Sequence, residues 1–410
     1  MTILNEKTND CPTSNHDDLL LQLRNRLQHL LQQYPEYNSD YALLRWLQGR
    51  NYDLGISNQD SFLDQANNAL YDSDEVEAAL NWALRSMDMF GIFQKDFTTF
   101  QSIRDVVKET SPLMEYIPGG PLGLDKHGNI IVLNLAGKMR PKQLLKYGRV
   151  SEFIIAAVCE CEGVQHILRI EEQKRGKKLG VVLINDLQDL SFEILSSVAA
   201  LKIYFSILQT IQKFFADSSI KIYLINVPFA LYAIWSMMEK VIAKETVGKI
   251  EILDKNFKTV LVKNHGANCL PEIYGGTMKF TWSEDCGSVS ASIRERIERE
   301  MSNKRNSMEK NLQRLTVAAG EEKVVSVTIE KSGSRLFWYF KCSNDIEFCV
   351  KYENAEVWPK LRLSTEFVPE YNEITCTEAG CYSFVFDNSD GLVWSKKVYY
   401  SYQIIPPAIN

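Results

Sequence analysis

The side chains of this chain that could bind a metal or attack a substrate do not form a catalytic motif. The five histidines are scattered, and the sequence contains neither a GxSxG nucleophile elbow nor an HExxH zinc motif. Cys159 and Cys161 form a CxC pair, but residues two apart on a helix do not share a face, and the nearby His166 is typical of a structural histidine. The glycines of residues 119–123 indicate a loop, and no GK[ST] follows them to hold phosphates. We therefore expect no catalysis, no metal and no cofactor.

One segment has instead the chemistry of contact with hydrocarbon. Residues 227–238 are the longest apolar stretch, and they are too short for the roughly 18–20 residues of a membrane span. The first two turns of the predicted helix are apolar on every side. Such a helix is either buried on all sides or moves between two apolar environments, so the pattern allows both a core helix and a movable cover. Its large side chains are Phe229, Tyr232, Trp235, Met237 and Met238.

The elements that must position these residues alternate between strands and helices. Strands are predicted at 129–135, 180–186, 221–227 and 249–253, and helices at 141–172, 191–215, 229–244 and 256–263. The run GVVLIND is almost continuously apolar, as in a strand buried on both faces. Alternation of this kind predicts a mostly parallel, helix-covered sheet. The segment 169–180 is interpreted as the most basic loop of the chain.

The regions on either side of this α/β centre have different patterns of polar and apolar residues. Helices are predicted at 17–33, 41–48, 53–70, 75–89 and 97–107, and a charged helix follows the α/β part. After residue 316, short strands of alternating polarity separated by turn residues predict an all-β sandwich. The expected organisation is a disordered tail at 1–16, a helical N-terminal subdomain at 17–74, an α/β domain at 75–282, a linker helix at 283–315 and a β-sandwich at 316–405.

Composition limits the partners and the compartment. The formal net charge of −6 argues against wholesale binding of nucleic acid. The polar N-terminus has no signal-peptide architecture, and nine cysteines are an odd number for a disulfide framework. We expect reduced thiols and a cytoplasmic location.

Several motifs, taken in order, resemble the CRAL-TRIO lipid-transfer family followed by a GOLD domain, the arrangement of supernatant protein factor and the tocopherol-associated proteins. The resemblance covers roughly residues 40–405. It implies an α/β lipid-binding domain with a helical N-terminal subdomain and a C-terminal sandwich. The matching stretches are LLRWLQGRNYD (43–53), LDKHGNIIVL (124–133), LINDL (183–187), IYLINVPF (222–229), TVGKI (246–250), LPEIYGGT (270–277), RLFWYFKCSNDIEFCVKY (335–352) and CTEAGCYSFVFDNSD (376–390).

The resemblance also implies a site for a lipid headgroup. Members that bind phosphatidylinositol use an arginine, an acidic residue, a threonine and a lysine. The matching positions in this chain are Arg50, Asp217, Thr246 and Lys249. Here Phe215 and Ala216 replace the family's Tyr-Pro, and aspartate replaces its glutamate. Cations and a hydroxyl would bind the phosphate, and the carboxylate would accept inositol hydroxyl protons.

The resemblance further implies a lipid cavity closed by residues 229–238, which would act as a gate that swings out at the bilayer. Members that bind phosphatidylcholine present hydroxyls on the cavity strands. The matching residues here are Val132, Val181 and Leu183, with Pro121 near a fourth position. Burying phosphocholine against apolar walls is costly, whereas a sterol, tocopherol or isoprenoid needs little polar contact.

Together these features predict a non-catalytic carrier of a membrane lipid, with phosphatidylinositol as the leading ligand and a transient membrane surface as a partner. Two alternatives remain open. The ligand could be another hydrophobic small molecule that is neutral, or the chain could be a lipid-sensing adaptor that recruits a protein partner through the GOLD-like domain.

Overall fold

The computed structural model describes residues 14–49, 76–190, 197–229, 244–280 and 289–407. The helix predicted at 53–70 and all but the ends of the one predicted at 229–244 lie outside these ranges. The described parts form a helical N-terminal region, an α/β centre with a mostly parallel sheet, and a pair of C-terminal antiparallel sheets. The predicted fold class is therefore confirmed.

The N-terminal region consists of short helices joined by tight turns. The leucine stripe predicted as one helix at 17–33 is broken at Leu27 into two, and its leucines are buried. Ser39 caps the third helix by accepting a hydrogen bond from the N–H of Ala42. The helices are α1 (Ser14–Arg26), α2 (Gln28–Gln33), α3 (Asp40–Gln48), α4 (Val76–Met89) and α5 (Phe100–Thr110).

The central sheet has five strands in chain order. Strand β1 pairs antiparallel with β2, and all later pairs are parallel. The glycines of residues 119–123, predicted as a loop, lie in β1, which corrects that interpretation. Gly119 has a φ of 125°, and a Cβ there would lie 2.0 Å from the Leu133 carbonyl oxygen, so only glycine allows this pairing. The strands are β1 (Gly119–Leu124), β2 (Ile130–Asn134), β3 (Val181–Asp186), β4 (Ser219–Ile225) and β5 (Ile250–Ile252).

The helices around the sheet differ from the prediction at two points. The helix predicted at 141–172 is two helices, because the chain turns at Gly148, where a Cβ would lie 2.6 Å from Leu113 and 2.7 Å from Phe153. The second of them extends to Arg175, so most of the basic segment 169–180 is helical and not a loop. The helices are α6 (Pro141–Leu145), α7 (Val150–Arg175), α8 (Val198–Phe214), α9 (Lys244–Val247) and α10 (Phe257–His265).

Alternation along the strands divides the core between the two faces of the sheet. Ile131 and Val182 belong to the cluster that contains Phe257 of α10. Their strand neighbours Val132 and Val181 face the opposite way and belong to the larger cluster, which includes α7 and the N-terminal helices. Each strand is therefore apolar on both faces, as expected for a covered parallel sheet.

Two buried ion pairs involve α7; the first joins it to helix α3, and the second lies within α7 itself. Arg45 of α3 donates to Glu172 and, over 2.9 Å, to the carbonyl oxygen of Leu179. Glu172 Oε1 also accepts the N–H of Leu179 at 2.7 Å. In the second pair, Arg169 donates to Glu162 over 2.5 Å. These contacts fix the end of α7 and the start of β3 to helix α3.

The C-terminal region is a sandwich of two four-stranded antiparallel sheets, with orders β10-β9-β12-β7 and β11-β8-β13-β6. Its interior is aromatic, as in the pair Trp338–Phe384 at 6.2 Å between ring centroids. It follows helix α11 (Ala291–Met308), and β6 begins at Gln313, inside the segment predicted as linker. The strands are β6 (Gln313–Val317), β7 (Glu322–Ile329), β8 (Arg335–Cys342), β9 (Ile346–Tyr352), β10 (Ala355–Leu363), β11 (Glu370–Thr375), β12 (Gly380–Asp387) and β13 (Lys396–Ile405).

The sandwich contacts the α/β region at the first turn of α7. The buried carboxylate of Glu370 accepts the N–H of Ser151 at 3.0 Å and its hydroxyl at 2.6 Å. Arg149 donates to the carbonyl oxygen of Tyr371 and lies 4.3 Å from the centre of its ring. Burial raises the pKa of Glu370. Because the N-cap Arg149 makes no side-chain cap bond, a residue of the sandwich supplies this cap.

Removing one partner of the Arg45–Glu172 pair is expected to destabilise the protein strongly. Glu172→Ala leaves Arg45 buried without a counter-charge, which lowers the free energy of unfolding by about 3–5 kcal/mol. Urea denaturation followed by tryptophan fluorescence measures this change. The control is Glu115→Ala, since the Lys108–Glu115 pair is half exposed at 3.6 Å and its loss changes stability by about 0.5 kcal/mol or less. Equal effects of the two variants would contradict the prediction.

Candidate functional site

The predicted headgroup residues that the structure describes lie at the amino-terminal edge of the parallel sheet. Asp217 occupies the turn between α8 and β4, and Lys249 directly precedes β5. The N–H of Ile222 donates to the carbonyl oxygen of Lys249 at 3.0 Å, which aligns the starts of β4 and β5. Thr246 lies in the short helix α9 just before β5, and its carbonyl oxygen accepts the N–H of Lys249 at 3.0 Å. Parallel strands begin at the same edge, so residues far apart in sequence meet here.

Asp217 binds two lysines, one of which sequence reasoning missed. Lys249 Nζ lies 2.5 Å from Asp217 Oδ1, and Lys178 Nζ lies 3.0 Å from Asp217 Oδ2. Lys178 comes from the end of the basic segment, just before β3. A signal for it existed, because a parallel β3 must start beside β4 and bring Lys178 to the same edge. We call Lys178, Asp217 and Lys249 the lysine–aspartate cluster.

The end of helix α3 lies against this cluster. Lys178 also donates to the side-chain oxygen of Gln48, a second residue that the sequence did not indicate. A Cβ at Gly49 would lie 2.8 Å from the Cβ of Ala216 and 3.3 Å from the amide nitrogen of Asp217, so the backbone passes close to the turn. Arg50 follows directly in sequence and lies outside the described residues.

The cluster carries two ammonium groups for one carboxylate. All three side chains are only 15–23% exposed, so their interactions are screened less than those of surface pairs. Burial lowers the pKa of Lys178, and the attraction of Asp217 opposes this shift. An ammonium has three donors, and the contacts above use one of Lys249 and two of Lys178. The remaining donors can bind an anionic oxygen without separating the lysines from Asp217.

A small cavity lies behind the cluster. Its volume of about 20 Å³ has room for one water molecule and none for a headgroup. The cavity is lined by Tyr37, Ala42, Arg45, Trp46, Gln165, Arg169, Phe214, Phe215, Ala216 and Ser218.

The predicted cavity-wall residues belong to an apolar row across the sheet. Val132 is paired with Leu183, and Val181 occupies the same face two residues earlier. Pro121 is opposite Val132 on one side, and the row continues beyond Leu183 to Ile222 and Ile250. The row therefore presents no hydroxyl on any of the five strands.

Of the predicted gate residues, the structure describes only Phe229, which is 90% exposed. Tyr232, Trp235, Met237 and Met238 lie outside the described residues. No helix in the described ranges combines the length and apolarity needed to cross a membrane. The same ranges contain no group of three histidine, cysteine or acidic side chains placed to hold a metal ion.

Comparison with known proteins identifies the central region. Residues 114–276 match the family model described as CRAL/TRIO domain. The CRAL-TRIO domain-containing protein F28H7.8 of Caenorhabditis elegans is 21% identical over 322 residues, which cover 78% of this chain and 71% of that protein. The SEC14 cytosolic factor of Kluyveromyces lactis is 26% identical over 255 residues, covering 61% and 75%.

Two further comparisons are more limited. The phosphatidylinositol/phosphatidylcholine transfer protein SFH14 of Arabidopsis thaliana is 23% identical over 195 residues, covering 46% of this chain and 33% of that protein. The crystal structure of Sfh5 aligns with 73% of this chain and 99% of its own at 13% identity and a TM-score of 0.44. The CRAL/TRIO match includes β1–β5 and the lysine–aspartate cluster, while α3 and the sandwich lie outside it.

The cluster makes a direct prediction about the titration of Lys178. In Asp217→Asn the ammonium loses its counter-charge, so the already lowered pKa of Lys178 is expected to fall further. Reductive ¹³C-methylation followed by NMR titration measures this shift. Lys360 of the sandwich is the control, because its pKa, which burial lowers and the contact with Asp387 raises, should be the same in both proteins. A Lys178 resonance that titrates identically in both proteins would show that the pair does not form in solution.

Proposed function

We propose that this chain, through the CRAL/TRIO domain of residues 114–276, binds a membrane lipid and carries it between membranes without catalysing a reaction. The observation that carries the proposal is the lysine–aspartate cluster, which gathers two partly buried ammonium groups at one edge of a sheet that is crossed by an apolar row. A membrane lipid has the same division between a charged headgroup and hydrocarbon. The Arabidopsis relative's description as a phosphatidylinositol/phosphatidylcholine transfer protein supports this class of ligand.

Phosphatidylinositol is the proposed ligand because the cluster offers both kinds of contact that its headgroup needs. Lys178 and Lys249 have donors left for a phosphate oxygen, and such charge-assisted hydrogen bonds are among the strongest in proteins. Each oxygen of Asp217 keeps one lone pair that can accept an inositol hydroxyl. Thr246 and Arg50 complete the proposed site, with the arginine following the Gly49 contact.

Transport of such a lipid requires a cover over its acyl chains. A diacyl lipid exposes on the order of 30 methylenes when it leaves the bilayer, each costing roughly 0.8 kcal/mol in water. The protein must therefore dock before the chains leave the membrane. We assign this cover to the apolar segment 229–238, which includes Trp235 and Met238. On this proposal the chain is a cytoplasmic protein that contacts membranes peripherally and transiently.

A neutral ligand is the second candidate, and the apolar row across the sheet favours it. The side chains of Val132 and Leu183 offer no hydrogen-bonding partner, which suits a sterol-, tocopherol- or isoprenoid-like molecule. The third alternative is an adaptor in which the C-terminal sandwich acts as a GOLD domain that recruits a protein partner. Its two antiparallel four-stranded sheets are the support for that assignment.

Loss of either lysine is expected to reduce transfer of phosphatidylinositol. Lys249→Ala and Lys178→Ala each remove a charge-assisted contact worth roughly 1.5–3 kcal/mol, so transfer between vesicles should fall roughly tenfold or more. Lys221→Ala is the matched control, because Lys221 pairs with Glu251 in the same sheet and not with Asp217. Normal transfer by both cluster variants would favour the neutral ligand.

Transfer of phosphatidylcholine is expected to be weak, because the row offers no partner to a buried phosphocholine group. Labelled phosphatidylcholine should move between vesicles about tenfold more slowly than phosphatidylinositol. The double variant Val132→Ser/Leu183→Thr adds two hydroxyls to the row and should reduce the difference in transfer rate between the two lipids. Efficient transfer by the unaltered protein would show that this face of the sheet does not contact the headgroup.

A further inference from the structure

The loop between β12 and β13 presents three consecutive large apolar side chains to solvent. Leu392 is 93% exposed, Val393 72% and Trp394 79%. Burying side chains of this size is strongly favourable, so three adjacent exposed ones indicate a surface that is covered in use. The loop lies outside the CRAL/TRIO match and far in sequence from the lysine–aspartate cluster.

The base of this loop is held firmly, so the apolar tip is presented by an ordered scaffold. Asn388 is 2% exposed, and its amide donates to the carbonyl oxygens of Trp394 and Ala318, both at 3.0 Å. The N–H of Gly391 donates back to the carbonyl oxygen of Asn388 at 2.9 Å. A Cβ at Gly391 would lie 2.3 Å from the Asn388 side chain, so the turn requires a glycine.

The charges around the loop are acidic at its base, where Glu322 lies opposite Asp387, and cationic on the sheet that follows it. Asp387 pairs with Lys360 at 2.7 Å, and Asp390 lies 3.9 Å from Arg362, so each of these aspartates has a base near it. Within the described ranges, Lys397 and Arg314 form no ion pair. Both are exposed on the outer face of the sheet containing β13 and β6.

The register of these strands places the two cations close together. Lys397 is opposite Thr316 and Tyr399 is opposite Arg314, so the two cations lie two rungs apart on the same face of the ladder. The guanidinium of Arg314 lies 6.0 Å from the centre of the Tyr399 ring. Apolar, aromatic and cationic side chains thus follow one another from the loop tip onto the sheet.

A lipid surface fits this arrangement better than a protein. A stable protein interface buries about 800 Å² on each partner, which a convex tip of three residues does not supply. A bilayer needs no matching groove, and tryptophan is favoured at its interface with water. Anionic lipids attract cations within a Debye length of their surface, where Lys397 and Arg314 would lie.

We propose that the loop of residues 388–395 inserts Leu392, Val393 and Trp394 into the interface of an anionic bilayer, while Lys397 and Arg314 contact its headgroups. The sandwich then provides a membrane contact of its own. The proposal does not depend on which lipid the CRAL/TRIO domain carries, because binding to a vesicle surface does not require a lipid to leave the bilayer.

Vesicle co-sedimentation of the full chain tests the proposal. With vesicles of equimolar phosphatidylcholine and phosphatidylserine, Leu392→Ser/Trp394→Ser should bind roughly tenfold or more weakly than the unaltered protein. Lys397→Ala/Arg314→Ala should weaken binding to these vesicles and leave binding to pure phosphatidylcholine vesicles unchanged. The matched control is Leu21→Ser/Val324→Ser, which removes two apolar side chains exposed elsewhere and should bind normally.

Depth measurements give a second readout. Brominated lipids should quench more fluorescence in the unaltered protein than in Trp394→Phe, a variant that keeps the apolar contact and should still bind vesicles. Thermal unfolding of each variant checks that the sandwich stays folded. Equal vesicle binding by Leu392→Ser/Trp394→Ser, or equal quenching in Trp394→Phe, would overturn the proposal and leave a protein as the occupant of the loop. Reduced vesicle binding with unchanged lipid transfer would support it and leave the proposed function untouched.

Discussion

The buried contact between Arg45 and Glu172 determines where the candidate site lies. Glu172 accepts a hydrogen bond from the N–H of Leu179, and Arg45 donates one to its carbonyl oxygen. One ion pair therefore fixes the position of Leu179, the residue after Lys178. Lys178 then reaches Asp217, which binds Lys249 in turn. Ion pairs of this kind contribute little net stability, because removing two charges from water costs nearly what their attraction returns. Their effect here is positional, since they join a helix outside the sheet to three strand starts.

The arrangement separates charge from hydrocarbon on a single sheet. The lysines gather at its amino-terminal edge, while one face carries an unbroken apolar row from Pro121 to Ile250. Asp217 keeps the two ammonium groups together, because without it they would repel each other across a partly buried space. A resting site of this kind is already compensated in charge. An incoming anion would add hydrogen bonds to a network that already exists. Without a ligand, Asp217 already provides a counter-charge to the two ammonium groups.

Much of the fold was predictable from local pattern, and the exceptions have local causes. Strands β2 and β3 are nearly continuous apolar runs, and β4 and β5 are rich in isoleucine, so their type and order could be inferred directly. Strand β1 reads Gly-Gly-Pro-Leu-Gly-Leu, which favours a loop, and only its pairing with β2 makes it a strand. The break at Gly148 depends on the proximity of Leu113 and Phe153, which sequence spacing does not reveal. Lys178 was missed for a similar reason, because its contacts depend on the order of the strands in the sheet. Asp217 and Lys249 were found through resemblance and lie in contact, whereas Arg50 and most of the gate lie outside the described residues.

The cap that Glu370 places on helix α7 has a consequence for how the protein is made. Domains fold from the N-terminus during synthesis, and Ser151 leaves the ribosome long before Glu370 has been translated. Until then the first turn of α7 has free N–H groups and no side-chain cap from its own N-cap residue. During this interval, helix α7 of the nascent α/β region is frayed at its N-terminal end. Completion of that helix is a late event that requires the sandwich to be synthesised, and an α/β region expressed alone would keep the first turn of α7 without this cap.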